Sequence, residues 1–231
     1  MNLRVRRRVE AQEHFGDFLR AIACLLGVVL GLLMLCQPSA ARAQAIADVP
    51  PALRLAMQRE AARNFGLQGD AVVARLAAQV QQESAWNPKA ASAYAQGLTQ
   101  FTPATAKWLP TVCPAVGTPD PWDAQWSLRA QACYMAWLHG RVKPFQHARP
   151  MSACSQWAFA LRGYNGGEGW LLRERQAAQQ AGADANDWSE VARYRVRAKW
   201  AHKENKEYAL RILLVLEPVY LRAGWPGKAV C

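Results

Sequence analysis

A chain of 231 residues with a formal net charge of +11 and 52% hydrophobic residues is long enough for one compact domain plus an appendage, and too apolar to be intrinsically disordered. Alanine, leucine, arginine and glutamine dominate and β-branched runs are scarce, a balance that favours helices over sheet. No nucleic-acid-binding motif accompanies the basic charge, so nucleic acid is not expected as a partner; a membrane or a polyanionic cell wall remains.

The first residues read as a targeting segment. Arg4, Arg6, Arg7 and Arg8 open the chain, and Arg20 precedes an uncharged run of 16 residues from Ala21 to Cys36. That run falls short of the span of about 20 residues needed to cross a bilayer. It matches the apolar region of a signal peptide, and Ala41-Arg42-Ala43 supplies a small-x-small cleavage pattern. Residues 1–43 are therefore expected to direct export to the periplasm, either as a cleaved signal peptide or as an anchor in the inner membrane. Leu35 before Cys36 is too bulky for a lipoprotein site. Residues 1–43 hold six Lys/Arg and three Asp/Glu, which leaves 22 basic against 14 acidic residues beyond them, still +8.

One domain, 48–231, is expected to follow. Pro50-Pro51 opens a helix to Phe65, and Gly66 and Gly69 break it. Asp70 is the expected N-cap of a second helix, with Val73, Leu76, Ala77, Val80 and Ser84 on one face and Asn87-Pro88 as its stop. Residues 88–121 read as a loop with a short helix from Pro103 and a small β-hairpin near Tyr94–Gln100. Helical periodicity returns over about Trp122–Val142, Ser152–Arg162, Glu168–Ala181, Trp188–Trp200 and Lys203–Leu216. The fold class is mainly α.

Of six cysteines, Cys24 and Cys36 lie inside the apolar segment. Cys113, Cys133, Cys154 and Cys231 remain, an even number in an exported chain, and predict two disulfides with all three connectivities open. No Cys or His cluster has metal-ligand spacing, so no metal or other cofactor is expected.

Four islands carry chemistry. In Gln82-Glu83-Ser84-Ala85-Trp86-Asn87-Pro88, Glu83 sits near the edge of an apolar helix face and in the last turn, where the helix dipole disfavours an anion. Both effects raise a carboxyl pKa, and an acid kept protonated near neutral pH is what glycosidic cleavage needs. A lone glutamate at a helix end is more often simply solvated. Gly97-Leu98-Thr99-Gln100-Phe101-Thr102-Pro103-Ala104-Thr105 combines a permissive glycine with an amide that both donates and accepts. Arg162-Gly163-Tyr164-Asn165-Gly166-Gly167-Glu168-Gly169 reads as a glycine-rich break between helices whose Tyr-Asn pair suits a sugar-binding wall. Glu204-Asn205-Lys206-Glu207-Tyr208 opens a late apolar helix.

The order and spacing of these islands resemble the lysozyme-like lytic transglycosylases of the soluble (SLT, family 1) type. The correspondence rests on Glu83-Ser84, Gly97-Leu98-Thr99-Gln100 with Pro103-Ala104-Thr105, Gly163-Tyr164-Asn165-Gly166-Gly167, and Tyr208, with Asp120-Pro121-Trp122-Asp123, Leu128-Arg129-Ala130 and Tyr134 between them. It covers roughly 55–220. Gly163 stands where alanine is common, and Thr99 where methionine is frequent. Four ordered motifs are specific where any one is not.

The resemblance implies a lysozyme-like helical fold and cleavage of the β-1,4 bond between N-acetylmuramic acid and N-acetylglucosamine in peptidoglycan. Glu83 would be the single catalytic carboxylate and Tyr208 its orienting partner. Ser84, Gln100, Tyr164 and Asn165 would hold the sugar, with Trp170, Trp188 and Trp200 as further candidate wall. A goose-type muramidase would hydrolyse the same bond with help from a second carboxylate, for which Asp120 and Asp123 are available. A non-catalytic wall-binding component of an envelope-spanning apparatus is a third reading. Wall turnover, service to a secretion or conjugation machine, and phage lysis are all compatible with the sequence.

Overall fold

The computed structural model describes residues 49–146 and 148–231. The targeting segment expected over 1–43 lies outside the described residues. Among the described residues nine helices follow in chain order: α1 Pro51–Phe65, α2 Gly69–Ser84, α3 Pro103–Trp108, α4 Ala124–Arg141, α5 Ala153–Gly166, α6 Glu168–Gln180, α7 Trp188–Val191, α8 Lys199–Leu210 and α9 Glu217–Arg222. A π-helical segment, Arg211–Leu216, joins α8 to α9. The mainly α expectation holds, and no described helix is long and apolar enough to cross a membrane.

The core is organised around α2. Val72, Val73, Leu76, Ala77, Ala78 and Val80 are all buried, and so are the polar Arg75 and Gln79. A helix buried on every face must be wrapped by others; α1, the π segment and α9 all pack on it. Helix α5 packs against α4, α6 and α8, and α1 closes on α4. The central helix thus carries Glu83 out of the core at its C-terminal end.

Two features fix α2 along its length. Arg75 forms a buried fork onto Glu217 of α9, with contacts of 3.2 and 2.7 Å, and also donates to Lys228 O at 2.9 Å. Its guanidinium lies over the Trp157 ring, 4.3 Å from the centroid. Beyond Ser84 the chain turns sharply, because Ala85 and Trp86 both take left-handed backbone angles, φ 50° and 65°. Such angles are unfavourable for residues with a Cβ. Here the Trp86 indole holds the turn by donating to Tyr220 O–H at 2.6 Å.

The π segment explains how one late helix reaches α2 twice. On an ideal α-helix Tyr208 and Tyr220 stand about 120° apart, and one extra residue in a turn removes about 100° of that. Tyr208 therefore bonds to Gln79 on α2 while Tyr220 bonds to Gln81 and Trp86 just beyond.

Several expectations are corrected. Asp70 is not an N-cap: the 3₁₀ turn Gly66–Gln68 runs directly into α2, so the residue at the cap, Gln68, is not extended and Asp70 falls in the first turn. The hairpin near Tyr94–Gln100 is reduced to two isolated bridges, Ala91 to Gln96 and Gln96 to Phe101. There the Ser92 side chain takes the N–H groups of Tyr94 and Ala95, and Gln100 adopts φ 50°. Helix α5 continues through Gly163–Gly166, and the break falls only at Gly167. The helix expected over Trp188–Trp200 is one turn, capped by Asp187, and the chain then leaves helix so that Arg197 can reach Glu174 on α6. Helix α8 accordingly starts at Lys199, before the expected Lys203.

The four cysteines form Cys113–Cys133 and Cys154–Cys231. The first ties the loop after α3 to α4. The second ties the start of α5 to the segment that follows α9.

Candidate active site

Glu83 lines a cleft of about 430 Å³. The carboxyl is partly buried, and Tyr208 donates its hydroxyl hydrogen to Glu83 Oε1. Burial pushes the Glu83 carboxyl up to about 8; the Tyr208 hydrogen bond opposes this rise, and the charge of Glu204 adds to it. Its place in the last turn of α2 acts in the same upward direction. Burial and the neighbouring Glu83 also hold the Tyr208 phenol well above its ordinary range, so Tyr208 is a permanent donor.

The Gly-Leu-x-Gln loop forms one wall. A Cβ added to Gly97, at φ 76°, would lie 1.6 Å from Pro121 O, so only glycine lets the loop pass the Asp120–Trp122 corner. Ser84 fastens the loop to the end of α2 by donating to Leu98 O at 2.7 Å. Gln100 donates both its side-chain hydrogens inward, to Ala90 O at 3.0 Å and Gly97 O at 2.8 Å. Its Oε1 is left as an acceptor on a residue that lines the cleft. Thr102 caps α3 through Thr105 N, and both threonines line the same wall.

The opposite wall is the end of α5. Tyr164 donates to Thr99 O at 2.8 Å, and its ring packs 5.5 Å from both Phe101 and Tyr134. The three rings make an aromatic floor. Asn165 Oδ1 accepts from Asn205 Nδ2 at 2.9 Å, and that same nitrogen donates to Arg162 O at 2.8 Å. The amide hydrogens of Asn165 are therefore left for the cleft. Gln100 presents an acceptor and Asn165 a donor.

Behind these walls lies a buried ionic cluster. Glu174 accepts from Arg162 at 2.5 Å and Arg197 at 3.0 Å, and its Oε1 is 2.9 Å from His202 Nδ1. Arg162 Nε and Arg197 Nη2 also reach Asn205 Oδ1, at 3.0 and 3.4 Å. Removing one member of such a cluster leaves a buried charge unmatched. The cluster is the frame that holds Asn205, and through it Asn165.

The residues singled out in the sequence divide accordingly. Glu83, Gln100, Tyr164 and Asn165 line one cleft. Tyr208 and Ser84 stand behind it, the first on Glu83 and the second on the loop. Asp120 and Asp123 are committed to local backbone, accepting from Trp122 N and Trp126 N. Sequence reasoning passed over Glu204, an exposed carboxylate lining the same cleft, as well as Asn205 and Gln79. The signal for Gln79 was available: it lies one turn before Glu83, a polar residue among Leu76, Ala77 and Val80. Beyond Asn165 and Glu204 the cleft meets a second pocket of about 320 Å³ that includes Trp170 and Trp200. Trp200 is 72% exposed and Trp170 41%.

Comparison with known proteins places this geometry in a family. Residues 62–186 match the model of the transglycosylase SLT domain. The chain is 34% identical over 118 residues to the membrane-bound lytic murein transglycosylase F of Maricaulis maris, covering 51% of this chain and 23% of that protein. It is 35% identical over 117 residues to membrane-bound lytic murein transglycosylase F 2 of Alkalilimnicola ehrlichii, covering 50% and 23%. With the Marinobacter nauticus protein of the former name it shares 33% over 138 residues, covering 58% and 25%. The chain thus spans about a quarter of the length of these relatives. With the family model covering more than half of its residues, the chain belongs to the transglycosylase SLT domain family.

Proposed function

We propose that this protein is a lytic transglycosylase that cleaves the β-1,4 bond between N-acetylmuramic acid and N-acetylglucosamine in peptidoglycan. The observation that carries the reading is the Glu83 carboxyl, held protonated by burial and oriented by a tyrosine hydroxyl, in a cleft whose other carboxylate, Glu204, is exposed. A glycosidic oxygen leaves only as it is protonated, and an acid with a pKa near 8 keeps its proton at neutral pH.

The steps follow from that group. Glu83 gives its proton to the leaving oxygen as the C1–O bond breaks. The acetamido group of the substrate stabilises the oxocarbenium-like centre, so no second protein carboxylate is required as nucleophile. Glu83, now an anion, removes the proton from the C6 hydroxyl of the muramoyl residue. That oxygen closes on C1, giving a 1,6-anhydro ring and restoring the acid without consuming water. The acceptor of Gln100 and the donor of Asn165 match the N–H and C=O of an acetamido group. The adjoining pocket with its two tryptophans suits a polymer better than a single sugar. Export to the periplasm, by a signal peptide or an anchor in 1–43, would bring the site to this substrate. Service to wall turnover or to an envelope-spanning machine follows from the same activity.

Neither Asp120 nor Asp123 lines the cleft with Glu83, which argues against their activating a water there, the step a goose-type muramidase needs. Mass spectrometry of muropeptides released from purified sacculi tests the reading. Anhydro-muramoyl ends are expected, and Glu83→Gln should release none while still binding sacculi. Reducing ends would instead establish a hydrolase, and unaltered sacculi a binding protein.

A further inference from the structure

Tyr208 does not choose its direction alone. Gln131 Nε2 donates to Leu76 O at 3.0 Å and to Gln79 Oε1 at 2.9 Å, and Gln79 Nε2 donates to Tyr208 O–H at 3.0 Å. Gln79, Gln131 and Met135, whose sulfur is 3.5 Å from Gln79 Nε2, are fully buried. A backbone carbonyl can only accept. Leu76 O therefore fixes the Gln131 amide, which fixes the Gln79 amide, which places an N–H against the oxygen of Tyr208. The phenol has no acceptor on that side, so its hydrogen goes to Glu83 Oε1.

We infer that Gln79 and Gln131 are positioning residues that dictate which oxygen of Glu83 carries the acid proton. Were Gln79 reversed, its carbonyl would accept the Tyr208 hydrogen. Glu83 could then carry its proton on Oε1 and donate it back to the Tyr208 oxygen, away from the substrate. With the chain as it stands, Oε1 is occupied as an acceptor and Oε2 is left to carry the proton into the cleft. Tyr164 and Glu204 are the other ionisable groups that act on Glu83, and neither joins the chain. The inference rests on Glu83 being the acid of the proposed reaction.

The test compares variants that reverse the chain with variants that only interrupt it. Gln79→Glu offers Tyr208 an acceptor at a pH where the new carboxyl is ionised. Gln131→Glu, one side chain further back, can donate to Leu76 O when protonated and accept from Gln79, turning that amide round. Gln79→Met and Gln131→Met fill the space with no polar group. For folded variants, checked by thermal unfolding, both glutamate variants should lose about 100-fold or more in kcat, the share of a general acid. Their KM should be unchanged, and their alkaline limb should move upward, because Glu83 loses the tyrosine donor that stabilises its anion. Gln79→Met should lose less than about tenfold, since Tyr208 then has Glu83 as its only acceptor; Gln131→Met frees the Gln79 amide to turn and should fall between Gln79→Met and the glutamate variants. A purely structural role predicts the reverse order, because methionine leaves more buried groups unpaired. Equal losses, or glutamate variants with wild-type kcat and limb, overturn the inference. Neutron diffraction of the unaltered protein decides independently of any variant's folding and of the reaction assignment. The Tyr208 hydrogen is expected on the line to Glu83 and the Gln79 amide hydrogens toward Tyr208; the opposite arrangement overturns the relay. An unaltered protein that leaves sacculi intact would sink the reaction assignment while leaving the neutron result to judge the relay.

Discussion

Asn205 holds Asn165 by one hydrogen bond of 2.9 Å in which Asn205 is the donor. The approach is close because Gly166 has no side chain. A Cβ there would lie 2.5 Å from Asn205 Nδ2 and 2.3 Å from Arg197 Nη1. Gly166→Ala is therefore expected to push Asn205 away, free the Asn165 amide to rotate, and raise KM several-fold with a smaller effect on kcat. The lost pairing in a buried cluster should also cost about 1–3 kcal/mol of stability. Gly169→Ala, in α6 with nothing within 4 Å of the added carbon, is the control and should behave as wild type. Steady-state kinetics on soluble glycan fragments and thermal unfolding check both.

Ionisation of Glu83 should be visible without any substrate. Its folded-state pKa of about 8 lies above the ordinary value of 4.5. Between those limits the folded protein keeps a proton that the unfolded chain has released, so the contribution to stability is full below the lower value. It is lost as pH rises through the upper one, by a few kcal/mol at most. Glu83→Gln keeps the acceptor for Tyr208 and removes the titration. The variant should match wild type in melting temperature near pH 4 and exceed it by roughly 5 °C or more at pH 9. Equal melting temperatures across that range would refute the raised pKa.

The two disulfides should contribute unequally. Loop closure over 77 residues, Cys154 to Cys231, removes more denatured-state entropy than closure over 20, Cys113 to Cys133. The chain-entropy model gives about 4–5 kcal/mol for the first and about 3 for the second. Paired serine substitutions, followed by denaturant unfolding, should rank the bridges in that order.

Trp200 offers a sharper test of polymer binding than of folding. Its side chain is mostly exposed, so Trp200→Ala should leave the melting temperature within about 1 °C, as surface changes do. Affinity for long glycan strands should fall several-fold while turnover of the shortest cleaved fragment is unchanged. A uniform loss across lengths would remove the second pocket from the groove.

The sequence made Glu83 legible because its signals are local: an apolar helix face, a helix end and a stop at Asn87-Pro88. Gln100, Tyr164 and Asn165 were legible for the same reason: Tyr164 and Asn165 adjoin glycines, and Gln100 follows Gly97 by three residues. What remained hidden depends on distant partners. Gln131 reaches Gln79 across 52 positions and Asn205 reaches Asn165 across 40, and no periodicity announces either. The failed helix over Trp188–Trp200 has the same origin. No local pattern marks Arg197 as buried, but Glu174 draws it into a buried cluster and the backbone follows. Asp70 was misread because a cap residue must itself be extended, and the preceding 3₁₀ turn keeps Asp70 helical, which side-chain patterns do not reveal.

The wide turn at Arg211–Leu216 has a consequence for altering this chain. On one side of it Tyr208 serves the acid; on the other, Glu217 and Tyr220 hold the helix on which the acid is mounted. The segment works as a spacer whose length in residues matters more than its composition. Apolar exchanges within it change packing alone. Deleting one residue would let an ordinary helix form, favourable locally, yet it would rotate Tyr208 by about 100° away from Glu83 while Glu217 stayed seated. Activity and helicity would then move in opposite directions.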